Sequence, residues 1–268
     1  MEKISLLRYY GGKTRHLEWI IGNLPDNIIH FVDAMSGSGS VALNVSATLV
    51  TMNDINNDVV NFFKQLRYNP EELIRAIYFT PFSREDCNSL IAETDSEIEK
   101  ARKFFTRNLQ SFSGSSQKTW HSWGNQINIK PNDVCRVNTW NRKITHLHRA
   151  VDKLRGIQIE NLDVFELLEK YNSPNVFVYL DPPYLAETRN AKNIYKHEFT
   201  EGQHRRLLAI ANCSKCRIMI SGYHCELYEE LLTPKKWTLI TKTDRNTNYK
   251  SKKTECLWVN YPVSNKLF

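Results

Sequence analysis

The stretch "NVFVYLDPPYL", residues 175–185, decides how this chain folds. Val176, Phe177, Val178, Tyr179 and Leu180 form an apolar run without in/out alternation, the pattern of a strand covered on both faces of a parallel sheet. The run stops at an acid, two prolines and a tyrosine. Pro182 and Pro183 cannot donate to a strand ladder, and Pro183 keeps Pro182 out of the α region, so the backbone after Asp181 is extended and stiff. A carboxylate, a free carbonyl and an aromatic ring are thereby held at the carboxyl end of a central strand, where open α/β sheets bind their ligands. The plain alternative is a strand that merely ends in proline, and the rest of the chain has to separate the two.

With 268 residues the chain can bury a full core as one large domain or as a domain with an insert. Hydrophobic residues make up 41% and the mean hydropathy is -0.49, values of a globular protein. No apolar stretch is long enough to cross a bilayer, and the start "MEKISLLRYY" is too short and polar for a signal peptide, which predicts a cytoplasmic protein without a membrane partner. Cysteines at 87, 135, 213, 216, 225 and 256 are too sparse for a secreted disulfide scaffold, so reduced thiols are expected. Cys213 and Cys216, with His224 and Cys225 nearby, raise the question of zinc. Strand-like "RIMIS" separates the two halves and no second C-x-x-C exists, so no metal is expected.

The net charge of +7 is uneven: residues 100–149 carry ten Lys or Arg against the single acid Asp133, which leaves the remainder of the chain slightly acidic. The same window holds Trp120, Trp123, Trp140, His121, Phe104, Phe105 and Phe112. Basic residues interleaved with aromatics fit a surface that meets phosphates with its charges and bases with its rings. A solvated basic face with a few core aromatics is the bland counterpart, but concentrating more than the whole net charge in one segment favours nucleic acid.

Upstream, "IIHFVD" (28–33) reads as a short buried strand followed by "AMSGSGSVALNVSA". Gly37 and Gly39 permit a tight turn, and the apolar spacing after them predicts a helix from about Ser38. "LVTMND" then reads as a second strand ending at Asn53 and Asp54. Strand, glycine turn, helix and a second strand ending in an acid describe the nucleotide-binding half of a doubly wound sheet, with the acid placed to accept from ribose hydroxyls. Residues 57–155 read as mostly helical around the polar centre "SFSGSSQKTWHSWGNQ", closing with Ile144, Leu147, Val151 and Leu154 on one helical face. Further strands are expected at 157–161, 216–221, 237–243 and 254–261, with helices over "TEGQHRRLLAIAN", capped by Thr200, and "CELYEELL".

Taken in order, "RYYGGK" (8–13), "DAMSGSG" (33–39), "NDIN" (53–56), the basic insert, "ENLDVFELL" (160–168) and "LDPPY" (180–184) resemble the Dam-like, D12-class, group alpha DNA adenine N6-methyltransferases. "HEFTEGQH", "SGY" and "TECLWVNYP" look like later segments of that family, and the resemblance runs from about residue 7 to 262. It implies an α/β, Rossmann-like class I methyltransferase sheet with a helical, basic target-recognition insert, the catalytic domain being 1–56 with 157–268 and the insert 57–156. It implies S-adenosylmethionine as methyl donor, S-adenosylhomocysteine as product, and double-stranded DNA as partner of a monomer or weak dimer. By the same resemblance the donor's methionine end lies near Tyr9, Gly11, Gly12 and Lys13, over the turn containing Asp33, Met35, Gly37 and Gly39. Asp54 would bind ribose, and Asp163 with Val164 or Phe165 would contact the donor's adenine. Asp181, Pro182, Pro183 and Tyr184 would hold the target base. Met35 stands where the family usually has phenylalanine, and a tyrosine at 9 or 10 where tryptophan is common. The insert looks more like those of phage or prophage-type members than like readers of GATC, so no target sequence is inherited.

The chemistry explains the residue types. Adenine's exocyclic amine is a poor nucleophile because its lone pair is delocalised into the ring. Acceptors for both N6 hydrogens, the Asp181 carboxylate and the Pro182 carbonyl, would localise that pair and aim it at the sulfonium methyl. The base must leave the duplex to arrive there. Arg102, Lys103, Lys118, Arg136, Arg142, Lys143, Lys250 and Lys252 are expected at phosphates, with Trp120 and Trp123 as stacking rings. Arg107, Asn108, Gln110, Gln117, Asn125 and Gln126 have the chemistry for base edges, and Ser113 is expected on the same DNA-facing surface. The competing readings are an N4-cytosine or RNA amino-methyltransferase, and a catalytically silent nucleic-acid-binding module. Serine at 181 would have pointed to cytosine, and a purely structural strand end would not need the acid.

Overall fold

The computed structural model describes residues 3–8, 11–90, 92–111, 123–128, 130, 133–185, 198–243 and 254–263. Val176–Leu180 forms a fully buried strand, β4, whose side chains alternate between two cores. Phe177 and Tyr179 join one apolar cluster while Val176, Val178 and Leu180 join another. Layers on both faces remove the polar half of the usual strand alternation, which is why this stretch reads as continuous apolar sequence.

Around it lie β1 (His30–Asp33), β2 (Leu49–Asn53), β3 (Ile157–Glu160), β5 (Arg217–Tyr223), β6 (Thr238–Thr243) and β7 (Thr254–Val259), in the order β3-β2-β1-β4-β5-β7-β6. The first five of these positions are parallel, and β7 pairs antiparallel with both β5 and β6. This is the doubly wound, Rossmann-like sheet that the motifs predict. The strand order reverses between β1 and β4, where Asp33 is level with Tyr179. Ligands of open α/β sheets bind at such a switch point, outside the carboxyl ends of the strands.

One expected element differs. After the glycine turn, residues 34–44 form successive turns rather than a regular helix, with Leu43 N–H donating to Gly39 O at 3.0 Å and Val45 N–H to Val41 O at 3.0 Å. Asn44 interrupts any continuation. Its side-chain nitrogen donates to Ile4 O and Ser40 O, and its oxygen accepts from Ile4 N–H, stitching the turn to the amino-terminal segment.

After a short helix α1 (Leu17–Gly22) ahead of β1, the described residues between β2 and β3 form the helices α2 (Asn57–Tyr68), α3 (Pro70–Tyr78), α4 (Arg84–Ser89), α5 (Glu97–Gln110) and α6 (Arg136–Leu154). Caps set several starts: Asn56, Ser83 and Ser96 side chains accept from Asp58, Asp86 and Glu99 N–H. Phe62, Phe105, Trp140 and Leu147 of these helices share one apolar cluster with Phe31 and Phe177 of the sheet. The insert therefore packs on the sheet through a common core. Of the face expected on α6, Ile144, Leu147 and Leu154 are buried and Val151 is half-buried.

Gly39 shows how tightly the turn packs on that core. Its φ is +67°, and a Cβ there would stand 2.8 Å from Phe63 Cζ and 3.3 Å from Met52 Cε. Gly39→Ala is expected to cost about 1–3 kcal/mol through backbone strain and displacement of Phe63, read as a lower urea midpoint at unchanged slope. An unchanged midpoint would show that the turn has room to relax.

Candidate active site

The carboxyl ends of β1, β2, β3 and β4 open into a cleft of about 260 Å³. Gly11, Gly12 and Lys13 close it on one side, and the turn after β1 supplies Met35, Gly37, Ser38 and Ser40. Asp54 follows β2, Asp163 and Val164 follow β3, and Asp181 and Pro183 follow β4. Most of the residues expected at a donor site thus meet in one place. Tyr9 lies outside the described residues. Two more are set back from the wall. Gly39 faces Phe63, and Phe165 stacks at 6.1 Å on Phe199 with the Arg206 guanidinium 4.1 Å from its centroid. Of the alternatives at 164 and 165, valine is the one at the cleft.

The strand ends are fixed by side chains that sequence reasoning had no role for. Asn53 donates to Ala34 O at 2.9 Å and Leu162 O at 3.1 Å while its oxygen accepts from Leu162 N–H at 2.8 Å, so one amide joins the exits of β1, β2 and β3. Asp54 accepts from Gly37 N–H at 2.7 Å and Asn56 N–H at 2.8 Å. The acid expected at ribose therefore also holds the glycine turn. A carboxylate offers about four acceptor sites, so these bonds leave it capacity for hydroxyls. Asp163 caps α7 (Val164–Lys170), accepting from Phe165 N–H at 2.9 Å.

Two carboxylates stand at the switch point in different surroundings. Asp33 is 1% exposed; its Oδ2 accepts from Ala42 N–H at 3.2 Å, and its Oδ1 is buried without a partner. Burial, with the Asp181 carboxylate beside it, pushes the Asp33 carboxyl up to about 8. Asp181 instead has Oδ1 doubly held, by Lys13 Nζ at 2.7 Å and by the Ser221 hydroxyl at 2.8 Å. Ser221 is itself fixed by Tyr179 Oη at 3.0 Å. Among the described residues no donor reaches Asp181 Oδ2 or the Pro182 carbonyl oxygen. Ser221 lies in the "SGY" segment, and only the fold brings its hydroxyl to the acid.

Tyr184 is buried at the same site. Its hydroxyl donates to Glu255 Oε2 at 3.0 Å, its ring meets Tyr223 edge-on at 4.6 Å, and Lys13 Nζ lies 4.8 Å over its centroid. Burial, then the Asp181 and Glu255 carboxylates, push its phenol well above the ordinary value, so it acts as a neutral donor. Lys13 also donates to Gly11 O at 2.9 Å and so ties the "GGK" loop to both Asp181 and Tyr184.

The residues expected at DNA divide. Arg142, Asn125 and Gln126 are exposed, and Arg107, Arg136 and Trp123 are partly exposed. Others are spent within the protein, a correction to their expected role. Lys103 is buried and donates to Ala92 O at 2.5 Å; Asn108 accepts from Arg8 N–H at 2.5 Å; Gln110 donates to Pro81 O at 2.9 Å. Arg102 is paired with both Glu99 oxygens at 2.6 Å and with Thr80, and Lys143 donates to Ser5 O and Oγ at 2.6 and 2.7 Å. These long or amide side chains satisfy backbone groups and polar side chains of the insert and of the amino-terminal segment, an inward use that composition does not distinguish from an outward one. Ser113, Gln117, Lys118, Trp120, Lys250 and Lys252 lie outside the described residues. No cluster of three metal-ligating side chains occurs among the described residues, and no helix there is long and apolar enough to cross a membrane.

Residues 9–114 and 132–247 match the model of the D12 class N6 adenine-specific DNA methyltransferase family. Among curated relatives, type II methyltransferase M1.LlaDCHI of Lactococcus lactis is 26% identical, with 95% of this chain and 94% of that protein covered. Type II methyltransferase M.MjaIII of Methanocaldococcus jannaschii is 27% identical over 77% of this chain and 78% of its own length. Type II methyltransferase M.FokI of Planomicrobium okeanokoites is 28% identical over 69% of this chain but only 29% of its own length.

The raised Asp33 acid has a signed consequence. Folded Asp33 holds its proton up to about pH 8 whereas the unfolded carboxyl releases it near 4, so its contribution to stability is greatest at low pH and is lost as pH rises toward 8. Asp33→Asn is expected to raise the Tm of the ligand-free protein by more than about 3 °C at pH 8, with a gain that shrinks toward pH 5. A Tm difference independent of pH would show that Asp33 is ionised in the folded state.

Proposed function

The chain belongs to the D12 class of N6 adenine-specific DNA methyltransferases, and from that membership we propose how its own residues carry out the transfer. The enzyme methylates adenine in DNA at a specific site. The observation that carries the mechanistic reading is the pair of open acceptors, Asp181 Oδ2 and the Pro182 carbonyl, beside a doubly held Oδ1.

S-adenosylmethionine, when bound, supplies an electrophilic methyl on a sulfonium. The cleft suits such a molecule: the buried Asp33 Oδ1 and Ser36 Oγ lack partners, and Asp54 stands at the end of the second strand for the ribose. Gly11, Gly12 and Lys13 line the methionine end and Asp163 with Val164 the adenine end. Asp33 in this reading meets positive charge, which draws its proton off. The donor need not be gripped by a metal.

Across the cleft, Asp181 Oδ2 and Pro182 O accept hydrogen bonds from the two N6 hydrogens of a flipped adenine and turn its lone pair toward the methyl. The Tyr184 ring offers a stacking face for the base beside these acceptors. Residues 1–56 and 157–268 serve catalysis, and 57–156 serve target recognition. Arg8, Arg107, Arg136 and Arg142 supply cationic surface for double-stranded DNA. The type II relatives favour a place in a restriction–modification pair, acting in the cytoplasm on the DNA found there.

Incubation with methyl-labelled S-adenosylmethionine and unmethylated DNA is expected to yield labelled N6-methyladenine. Asp181→Ala should lower the rate by at least about 10²–10³-fold with donor affinity retained. Equal turnover by the variant would overturn the proposed acceptor role. In a separate measurement, Arg8→Ala with Arg142→Ala should flatten the dependence of log affinity on log salt by about 0.9 per lost phosphate contact. Arg102→Ala should leave that slope alone and lower Tm instead. The reverse pattern would move the DNA surface to α5.

A further inference from the structure

The two prolines that stiffen residues 181–184 also remove two backbone donors from it: neither Pro182 nor Pro183 has an N–H. Between Asp181 and Tyr184 the backbone can be held only through its carbonyls. The Pro182 carbonyl is required by the incoming amine, so the backbone has to be held through its neighbour. Pro183 O meets His204 Nε2 at 3.1 Å.

His204 is built for that task. It is 1% exposed and sits in the first turn of α8 (Glu201–Cys213). That turn is fixed by a capping box in which Thr200 Oγ1 accepts from Gln203 N–H at 3.2 Å and Gln203 Oε1 accepts from Thr200 N–H at 2.9 Å. The other imidazole nitrogen, Nδ1, is 2.9 Å from Tyr228 Oη. A carbonyl cannot donate, so Nε2 bears the hydrogen, and in a neutral ring Nδ1 must accept. Tyr228 supplies that donor. Burial pushes its phenol far above the ordinary range, so the hydroxyl keeps its proton. The rings are packed in place, His204 edge-on to Phe199 at 4.9 Å and Tyr228 against Trp258 at 4.8 Å.

We propose that His204, oriented by Tyr228, is a positioning residue that sets the direction of the Pro182 carbonyl by anchoring the carbonyl that follows it. His204 does not touch the base. It acts through one rigid prolyl unit, and its effect falls on the alignment of the amine rather than on donor binding. Ser221 performs the parallel task for the other acceptor from behind Asp181. The inference rests on the proposed role of residues 181–184, and the experiment separates the two.

The test is single-turnover methyl transfer to DNA, with donor affinity measured by calorimetry, for the wild type, His204→Leu, His204→Gln and Tyr228→Phe. His204→Leu removes the donor while filling the space. It is expected to slow transfer on the order of 10²-fold, as an ångström-scale misplacement does, with donor Kd within about twofold. Glutamine can present an N–H to Pro183 O, so His204→Gln is expected to recover at least about tenfold of the loss. Tyr228→Phe, nearly isosteric, leaves Nδ1 without its donor and is expected to slow transfer about three- to tenfold even where His204→Leu fails to fold. Wild-type rates in His204→Leu and Tyr228→Phe would overturn the proposal, as would equal losses in the leucine and glutamine variants or a parallel loss of donor affinity. A wild type that transfers no methyl to adenine would instead overturn the reading on which it rests.

Discussion

Two carboxylates at the carboxyl ends of neighbouring parallel strands govern the arrangement of this molecule. Asp33 and Asp181 stand at the switch point between β1 and β4, close enough for the Asp181 carboxylate to disfavour ionisation of Asp33. The protein separates them by environment. Asp181 receives an ammonium and a hydroxyl on one oxygen, while Asp33 is left dry with an orphaned oxygen. One acid thereby keeps an oxygen open to the cleft, and the other is driven toward its protonated form.

Everything that holds these acids in register comes from a distance along the chain. Ser221 belongs to β5, Glu255 to β7, Lys13 to the amino-terminal loop, and Asn53 joins three strand exits with one amide. The insert is tied in by the same economy. It shares its aromatic core with the sheet, and Asn108 of α5 accepts from the backbone of Arg8, immediately before the loop that leads to Lys13.

Legibility followed the periodicity of the signal. β4 was readable because burial on both faces leaves an apolar run, and Asp54 because an acid ends the next strand after a glycine turn. The helix expected from about Ser38 is replaced by successive turns, in which the Asn44 N–H donates to Val41 O and the Asn44 side chain takes the Ser40 carbonyl. The basic insert misled in detail. Lys103, Arg102, Lys143, Asn108 and Gln110 have the composition of a DNA surface, yet their polar ends are satisfied inside the protein. Side-chain type fixes what a group can bond, and leaves open which way it points.

The order of the motifs carried the resemblance to the family, and the sequence alone determined the parallel sheet, the glycine turn and the acid–proline–tyrosine end of β4, because each of these depends on local backbone chemistry or on the period of burial. Tertiary structure decided the antiparallel seat of β7, the partners of Asp181, the isolation of Asp33 and the hold of His204 on Pro183. Those features arise from contacts between residues roughly 20 to 170 positions apart. No local pattern encodes which distant hydroxyl, ammonium or imidazole will arrive, since that is set by strand order and packing once the two cores close around the sheet.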